Sequence, residues 1–261
     1  MKLFVREFGD ENRPKMLILH GLFGMSDNWT GIGKYYSKYY HVLIPDHRNH
    51  GLSPHSDDFG YELMLEDLLE LAGDRNIEKA VVLGHSMGGK LAMNLAFEHP
   101  EFVSSLIIAD ISMREGEFRT NHAAILELIS RTDLSRFANY ADLQAYFSSI
   151  LPEKKLVQFT MKNIKRDGKA GFRWKLNYQA IYNNIHKVME EVTPGRPYEG
   201  PVLVIRGEKS DYVTDEDFAE MVGYFPKAQL VTIPGASHWV HADDTPFFLR
   251  SVDDFLKIGI G

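Results

Sequence analysis

Six short apolar runs, separated by amphipathic stretches, constrain the fold of this chain more than any other feature. They are Met16-Leu-Ile-Leu-His20, Val42-Leu-Ile-Pro45, Ala80-Val-Val-Leu-Gly84, Leu106-Ile-Ile-Ala109, Val202-Leu-Val-Ile205 and Leu230-Val-Thr-Ile233. All are rich in β-branched residues, and their apolar continuity marks strands covered on both faces. The stretches between them carry helix periodicity. Residues 61–75 put Leu65, Leu68, Leu69 and Ala72 on one face, and 87–98 run from Met87 through Leu91 and Leu95 to a stop at His99-Pro100. Strand–helix alternation of this kind predicts a mostly parallel sheet with helices on both faces and right-handed crossovers. The opening MKLFVREFGD is broken by charges within a few positions and reads as a first strand rather than a secretory leader.

Between about 113 and 197 the rhythm changes, and no strand-like run is apparent. Helix patterns cover 121–130, 142–151 and 177–191, with a glycine-bearing turn at Arg166–Gly171 before the last. Pro194, Gly195, Pro197, Gly200 and Pro201 mark the return to the sheet. The expected layout is a core of residues 1–112 and 198–261, with a helical lid at 113–197 over the carboxyl-terminal edge of the sheet.

Composition narrows the function classes. With no cysteine among 261 residues, disulfides, a thiol nucleophile and thiolate metal sites are excluded. The net charge of −7 disfavours a nucleic-acid partner. No apolar run approaches the ~20 residues that span a bilayer, and a cytoplasmic chain is expected.

Gly84-His-Ser-Met-Gly88 carries the chemistry. A strand ends at Gly84 and a helix begins just after Ser86, which makes a sharp turn that exposes the serine hydroxyl as a nucleophile. Upstream, His20-Gly-Leu-Phe-Gly24 follows a strand directly. Its turn can offer the Leu22 N–H, together with that of Met87, to a developing oxyanion. His20 itself reads as a hydrogen-bonding residue of the turn. Downstream, Gly235-Ala-Ser-His238-Trp-Val-His241 follows the last strand, and His238 is the expected base. His241 is its competitor, expected to face the next helix.

These motifs in this order, with Asp46-His-Arg-Asn-His-Gly51-Leu-Ser53, resemble the α/β-hydrolase superfamily over essentially the whole chain. Within it, "NWxxI", "DHRNHGLSPHS", "GHSMGGKLAM", "ADIS", "FRWKLN" and "GASHWVHAD" resemble the YbfF-type bacterial esterases. The resemblance implies a mostly parallel α/β-hydrolase sheet with a helical lid inserted after strand six. It also implies a Ser-His-Asp serine hydrolase of carboxylic esters or acyl thioesters with short to medium acyl chains. Other chemistry on the frame, carbon–carbon or peptide bond hydrolysis, remains open, as does a non-catalytic ligand receptor.

The acid has two candidates. Most of the superfamily carries it in a G-x-x-D turn after the penultimate strand, but Gly207-Glu-Lys-Ser210 holds a serine there and Asp211 comes one residue late. Asp110 ends the strand Ser105–Ala109, which in this fold neighbours the strand before Gly207, and it is the preferred acid, with Asp211 as the alternative.

The remaining residues are weighed on the same basis. His47, His50 and His55 beside Asp46 read as a hydrogen-bonded turn and not a metal site, and neither metal nor cofactor is expected. Phe23, Trp174 and Trp239 are candidate pocket residues, with lid core the alternative for Trp174. Lys162, Lys165, Arg166, Lys169, Arg173 and Lys175 form a basic stretch. It is either a solvated face or an attraction for a phosphorylated carrier such as coenzyme A. The expected partner is a small acyl ester or thioester; the oligomeric state is open.

Overall fold

The computed structural model describes residues 1–116, 120–168 and 171–259. Strands β1 (Val5–Phe8), β2 (Lys15–Leu19), β3 (His41–Pro45), β4 (Ala80–His85) and β5 (Val103–Ala109) lead into an intervening segment. That segment contains the hairpin β6 (Ile164–Arg166) and β7 (Phe172–Trp174), and β8 (Val202–Gly207) and β9 (Ala228–Ile233) follow it. The main sheet is seven-stranded in the order β1-β3-β2-β4-β5-β8-β9, parallel throughout except for β1 against β3.

Alternation along each strand divides the core. Leu17, Leu19, Val82, Leu106 and Val204 face one layer; Met16, Ile18, Leu83, Ile107 and Ile205 face the other. The first layer holds α2 (Tyr61–Asp74) and α3 (Met87–Glu98); the second holds α1 (Thr30–Tyr36) and, near the C-terminus, α11 (Thr245–Leu256). Between β8 and β9 runs α9 (Asp215–Tyr224), started by a capping box of Thr214 and Asp217, and α10 (Val240–Asp243) follows β9.

Between β5 and β8 lie α4 (Thr120–Arg131), α5 (Tyr140–Ile150), α6 (Lys154–Lys162), the β6–β7 hairpin, α7 (Tyr178–Asn183) and α8 (Ile185–Met189). Three expectations are corrected here. In this chain's own count the segment follows the fifth strand, because β5, which ends next to Asp110, is the fifth of the sheet. Residues 113–197 do contain strands. The hairpin's three-residue arms are too short to show a period, and between them the Asp167 amide donates to Gly171 O. The single helix expected over 177–191 is two, interrupted at Asn184.

The turn from β4 into α3 leaves no room for side chains. A Cβ on Gly84 would sit 2.1 Å from Gly88 O, and one on Gly88 would sit 2.3 Å from Leu19 O. Both obstacles are backbone, so neither can swing aside. Gly88→Ala should therefore cost roughly 3 kcal/mol or more of stability, read as a lowered thermal midpoint; an unchanged midpoint would contradict this packing.

Candidate active site

The parallel strands deliver their following loops to one edge of the sheet, where the order reverses between β2 and β4. Ser86 stands on the tight turn after β4 with φ 54° and ψ −122°, strained backbone held by the glycines around it. Asp110 follows β5, also with positive φ (54°), and no solvent reaches it. Its amide donates to Ile205 O at 2.7 Å, continuing the β5–β8 pairing and setting its side chain beside the loop after β8.

There the carboxylate is fully engaged. Asp110 Oδ1 accepts from the Gly207 amide at 2.9 Å, and Oδ2 accepts from the Ser210 hydroxyl and from His238 Nδ1, the latter at 2.8 Å. Ser210 thus stands at the position where the superfamily's acid was looked for, and its hydroxyl donates to Asp110 at the end of the neighbouring strand. Asp211 lies exposed in the wall of the cleft, its backbone oxygen accepting from Arg114.

The His238 ring is stacked on Tyr212 (centroids 3.9 Å apart, planes at 19°). Its backbone oxygen accepts from His85 Nε2 at 2.9 Å. Ser86 and His238 line the same cleft of about 600 Å³, walled by Leu22 and Trp239 from the sheet loops and by Ile125, Leu156 and Phe159 from α4 and α6. A second void of about 30 Å³ also touches Ser86, among Tyr61, Met87, Val188 and Met189.

Comparison with known proteins gives the family. The family model described as the alpha/beta hydrolase fold matches residues 14–245. The chain belongs to the α/β-hydrolase family. It is 37% identical to the mouse (Mus musculus) sn-1-specific diacylglycerol lipase ABHD11, over 95% of this chain and 82% of that protein. It is 30% identical to Esterase YbfF of Escherichia coli, over 98% and 100%. Among solved structures, one titled "Marine microorganism esterase" superposes with a TM-score of 0.94 at 38% identity, covering 98% of this chain and 99% of that one.

Within this α/β-hydrolase the loop after β2 is braced from below. Gly21 passes so close to the elbow that a Cβ there would lie 3.1 Å from Ser86 Cβ, and Leu22 follows it. Phe23, with φ 60°, gives its amide to His50 Nε2 at 3.2 Å. The His50 ring can accept because its Nδ1–H donates to Arg48 O at 2.9 Å. His20 is fixed the same way: Nδ1–H donates to Gly21 O, and Nε2 accepts from the His47 amide. Burial holds these rings neutral, with His20 pushed down to about 4, His50 and His85 to about 3, and His47 well below its usual value. Asp46 accepts from the amides of Ser26 and Leu52, while Arg48 grips Asp67 through Nε and Nη2. His55 Nε2–H donates to Lys175 O. Among the described residues no group of three or more acidic or histidine side chains is placed to hold a metal ion.

The pocket residues are only partly where the sequence suggested. Trp239 lines the cleft, but Phe23 is wholly buried beneath it. Trp174 stacks on Phe147 inside the β5–β8 segment and borders a separate depression, because β7 turns it away from Ser86. His241 lies flat on Trp29 at 4.1 Å, held by α10. The basic stretch is divided: Lys162 edges the cleft and pairs with Asp27, whereas Lys165, Arg173 and Lys175 border the other depression. Arg166 lies over the Phe172 ring, and Lys169 lies outside the described residues. The walls supplied by α4 and α6 carried no sequence signal, since a helix's apolar face looks alike whether it meets a core or a cleft.

The buried imidazoles make stability depend on pH. Their folded-state values lie below the unfolded ~6.5, so the unfolded chain takes up protons first as pH falls. Stability is complete above about 6.5 and declines from there toward 4, since each proton favours the unfolded state. Denaturant melts between pH 7 and 4.5 should show that decline. His50→Gln should lower stability at pH 7 yet flatten the slope; an unchanged slope would mean that folding does not shift the protonation of His50.

Proposed function

We propose that this α/β-hydrolase cleaves carboxylic esters, and acyl thioesters by the same route, through Ser86, His238 and Asp110. The observation that carries the reading is the 2.8 Å bond from His238 Nδ1 to the solvent-free Asp110 carboxylate, with His238 and Ser86 in one cleft. Similarity to proteins named esterase and lipase supports ester hydrolysis as the reaction class.

With Nδ1–H committed to Asp110, the lone pair of His238 is on Nε2, ready to accept the Ser86 proton. Ser86 Oγ then bonds to the acyl carbon, and the negative charge falls on the former carbonyl oxygen. The Met87 amide heads α3, where the helix dipole favours that charge, and the Leu22 amide is its partner donor. Collapse breaks the bond to the leaving group, which takes the proton from His238. Water, deprotonated by the same ring, returns the serine and releases the acid.

Two cavities meeting at Ser86 suggest how substrate lies. The general acid must stand beside the leaving group, and His238 lines the 600 Å³ cleft. The leaving group occupies that cleft, and the acyl chain enters the 30 Å³ void. Such a void is roughly two water-sized spheres, which suits acetyl to butyryl groups, with flexible Met189 yielding to somewhat longer ones. Lys155, Lys162 and Lys209 edge the large cleft, but Lys155 pairs with Asp243, Lys162 pairs with Asp27, and Glu153 and Asp211 share the lining, so charge alone does not select a phosphorylated leaving group such as coenzyme A. Residues 113–197 act as the lid that walls this cleft.

A fluorophosphonate probe should label the wild type at Ser86 and leave Ser86→Ala unlabelled. p-Nitrophenyl acetate to butyrate should be hydrolysed about tenfold more efficiently than octanoate, a difference of some 1.4 kcal/mol in transition-state binding. Ser210→Ala, which removes one hydrogen bond to a charged group, should lower kcat by roughly tenfold. An unlabelled wild type would favour a receptor; turnover of amides but not esters would favour a peptidase.

A further inference from the structure

Apart from Glu98 at its end, α3 carries one charged side chain, Lys90, a turn after Ser86. Lys90 is only 2% exposed, on a helix otherwise buried against the sheet. An ammonium is kept in such a place only if its donors are used. Its three N–H groups go to three backbone oxygens, those of Arg114, Met189 and Glu190.

These oxygens belong to the two points where the chain crosses between the sheet and the inserted segment. Arg114 is on the way out; Met189 and Glu190 are on the way back. The crossings are also bonded to each other, Gly116 N to Met189 O at 2.6 Å and Val192 N to Met113 O at 2.8 Å. Tyr61 adds a bond from α2, its hydroxyl donating to Val188 O at 2.9 Å. Gly116, Val188 and Met189 in turn line the small void beside Ser86, with Lys90 in the same wall.

We propose that Lys90 is a positioning residue, clamping both crossings of the insertion to the helix that starts at Ser86 and so setting which acyl lengths fit the void. The clamp fixes the Val188–Met189 backbone relative to Ser86, which two loose loops would not. Burial lowers the Lys90 pKa to about 8, with Glu115, Glu191 and Glu190 opposing that fall and Arg114 adding to it; the group stays largely protonated near neutrality. The inference rests on the ester-hydrolase reading and on the acyl chain entering this void.

The test compares wild type, Lys90→Met and Met189→Ala on p-nitrophenyl esters from acetate to decanoate, with Ser86 counted by fluorophosphonate titration. Lys90→Met should keep a reactive Ser86 and a kcat for acetate within about threefold of wild type. Its KM for butyrate should rise about tenfold and its preferred acyl length should move upward, the mark of lost binding rather than lost chemistry. Met189→Ala widens the void without touching the clamp and should move the preferred length the same way. It can therefore overturn the acyl-site premise even if Lys90→Met does not fold; in that case Lys90→Arg, which keeps the charge but not the three-oxygen geometry of the ammonium, carries the clamp test with the same KM and length readouts. An unchanged length profile in Met189→Ala would mean that the void is not the acyl site, and the proposal falls. A Lys90→Met enzyme that is less stable but unchanged in KM and length profile would make Lys90 a structural lysine only. Should the wild type neither hydrolyse esters nor react at Ser86, the ester-hydrolase reading itself fails, and this inference with it.

Discussion

A carboxylate that no solvent reaches has to be held by donors, and most of the edge of this sheet is arranged to hold one. Asp110 is fixed on both oxygens, by the Gly207 amide on one side and by Ser210 and His238 on the other. Each donor comes from a different level of the structure. The Gly207 amide is available because β5 and β8 are neighbours in register; Ser210 because the loop after β8 turns back over the strand end; His238 because the loop after β9 reaches across both. Charge-assisted bonds of this kind are the stronger ones, and in a dry site they fix direction as well as energy. The position of the His238 ring through its Nδ1 follows from them.

A second set of constraints supports the other side of the site. The loop after β2 is not held by regular structure, so its backbone groups need other partners. His20 and His50 supply them, each with one ring nitrogen donating and the other accepting. A charged imidazole could not accept, which ties the shape of that loop to the neutrality that burial imposes. The insertion is anchored to the same edge. Asn163 reaches Phe23 O, and the Asn177 amide reaches Asn49 O.

The sequence made the frame and the candidate nucleophile legible for physical reasons. Strands buried on both faces write themselves as apolar runs, and a serine between glycines at a strand–helix junction has few other uses. Asp110 was legible because a charge directly after four apolar residues needs partners, and strand adjacency named them. What Ser210 does was not, since a hydroxyl 100 residues from its acceptor along the chain leaves no spacing to detect. The same holds for Tyr212 under the His238 ring, and for the β6–β7 hairpin, whose arms are three residues long. Trp174 reads as either pocket or lid core because an aromatic in an insertion has the same signature whether it packs inward, as it does on Phe147, or toward a substrate. Lys90 did leave a trace, as a lone cation in the middle of an apolar helix.

The most direct measurement is kcat for p-nitrophenyl butyrate with Asp110→Asn and Asp211→Asn side by side, each checked for folding by thermal melt. Losing the carboxylate that orients the base costs up to ~10⁴ in kcat where a triad operates. If the Asp110 carboxylate is the one that orients His238, Asp110→Asn loses several orders of magnitude while Asp211→Asn stays within a few-fold of wild type. A folded Asp110→Asn that keeps its activity while Asp211→Asn loses it would contradict the account, because the loop after β8 would then have to bring Asp211 to His238 during turnover.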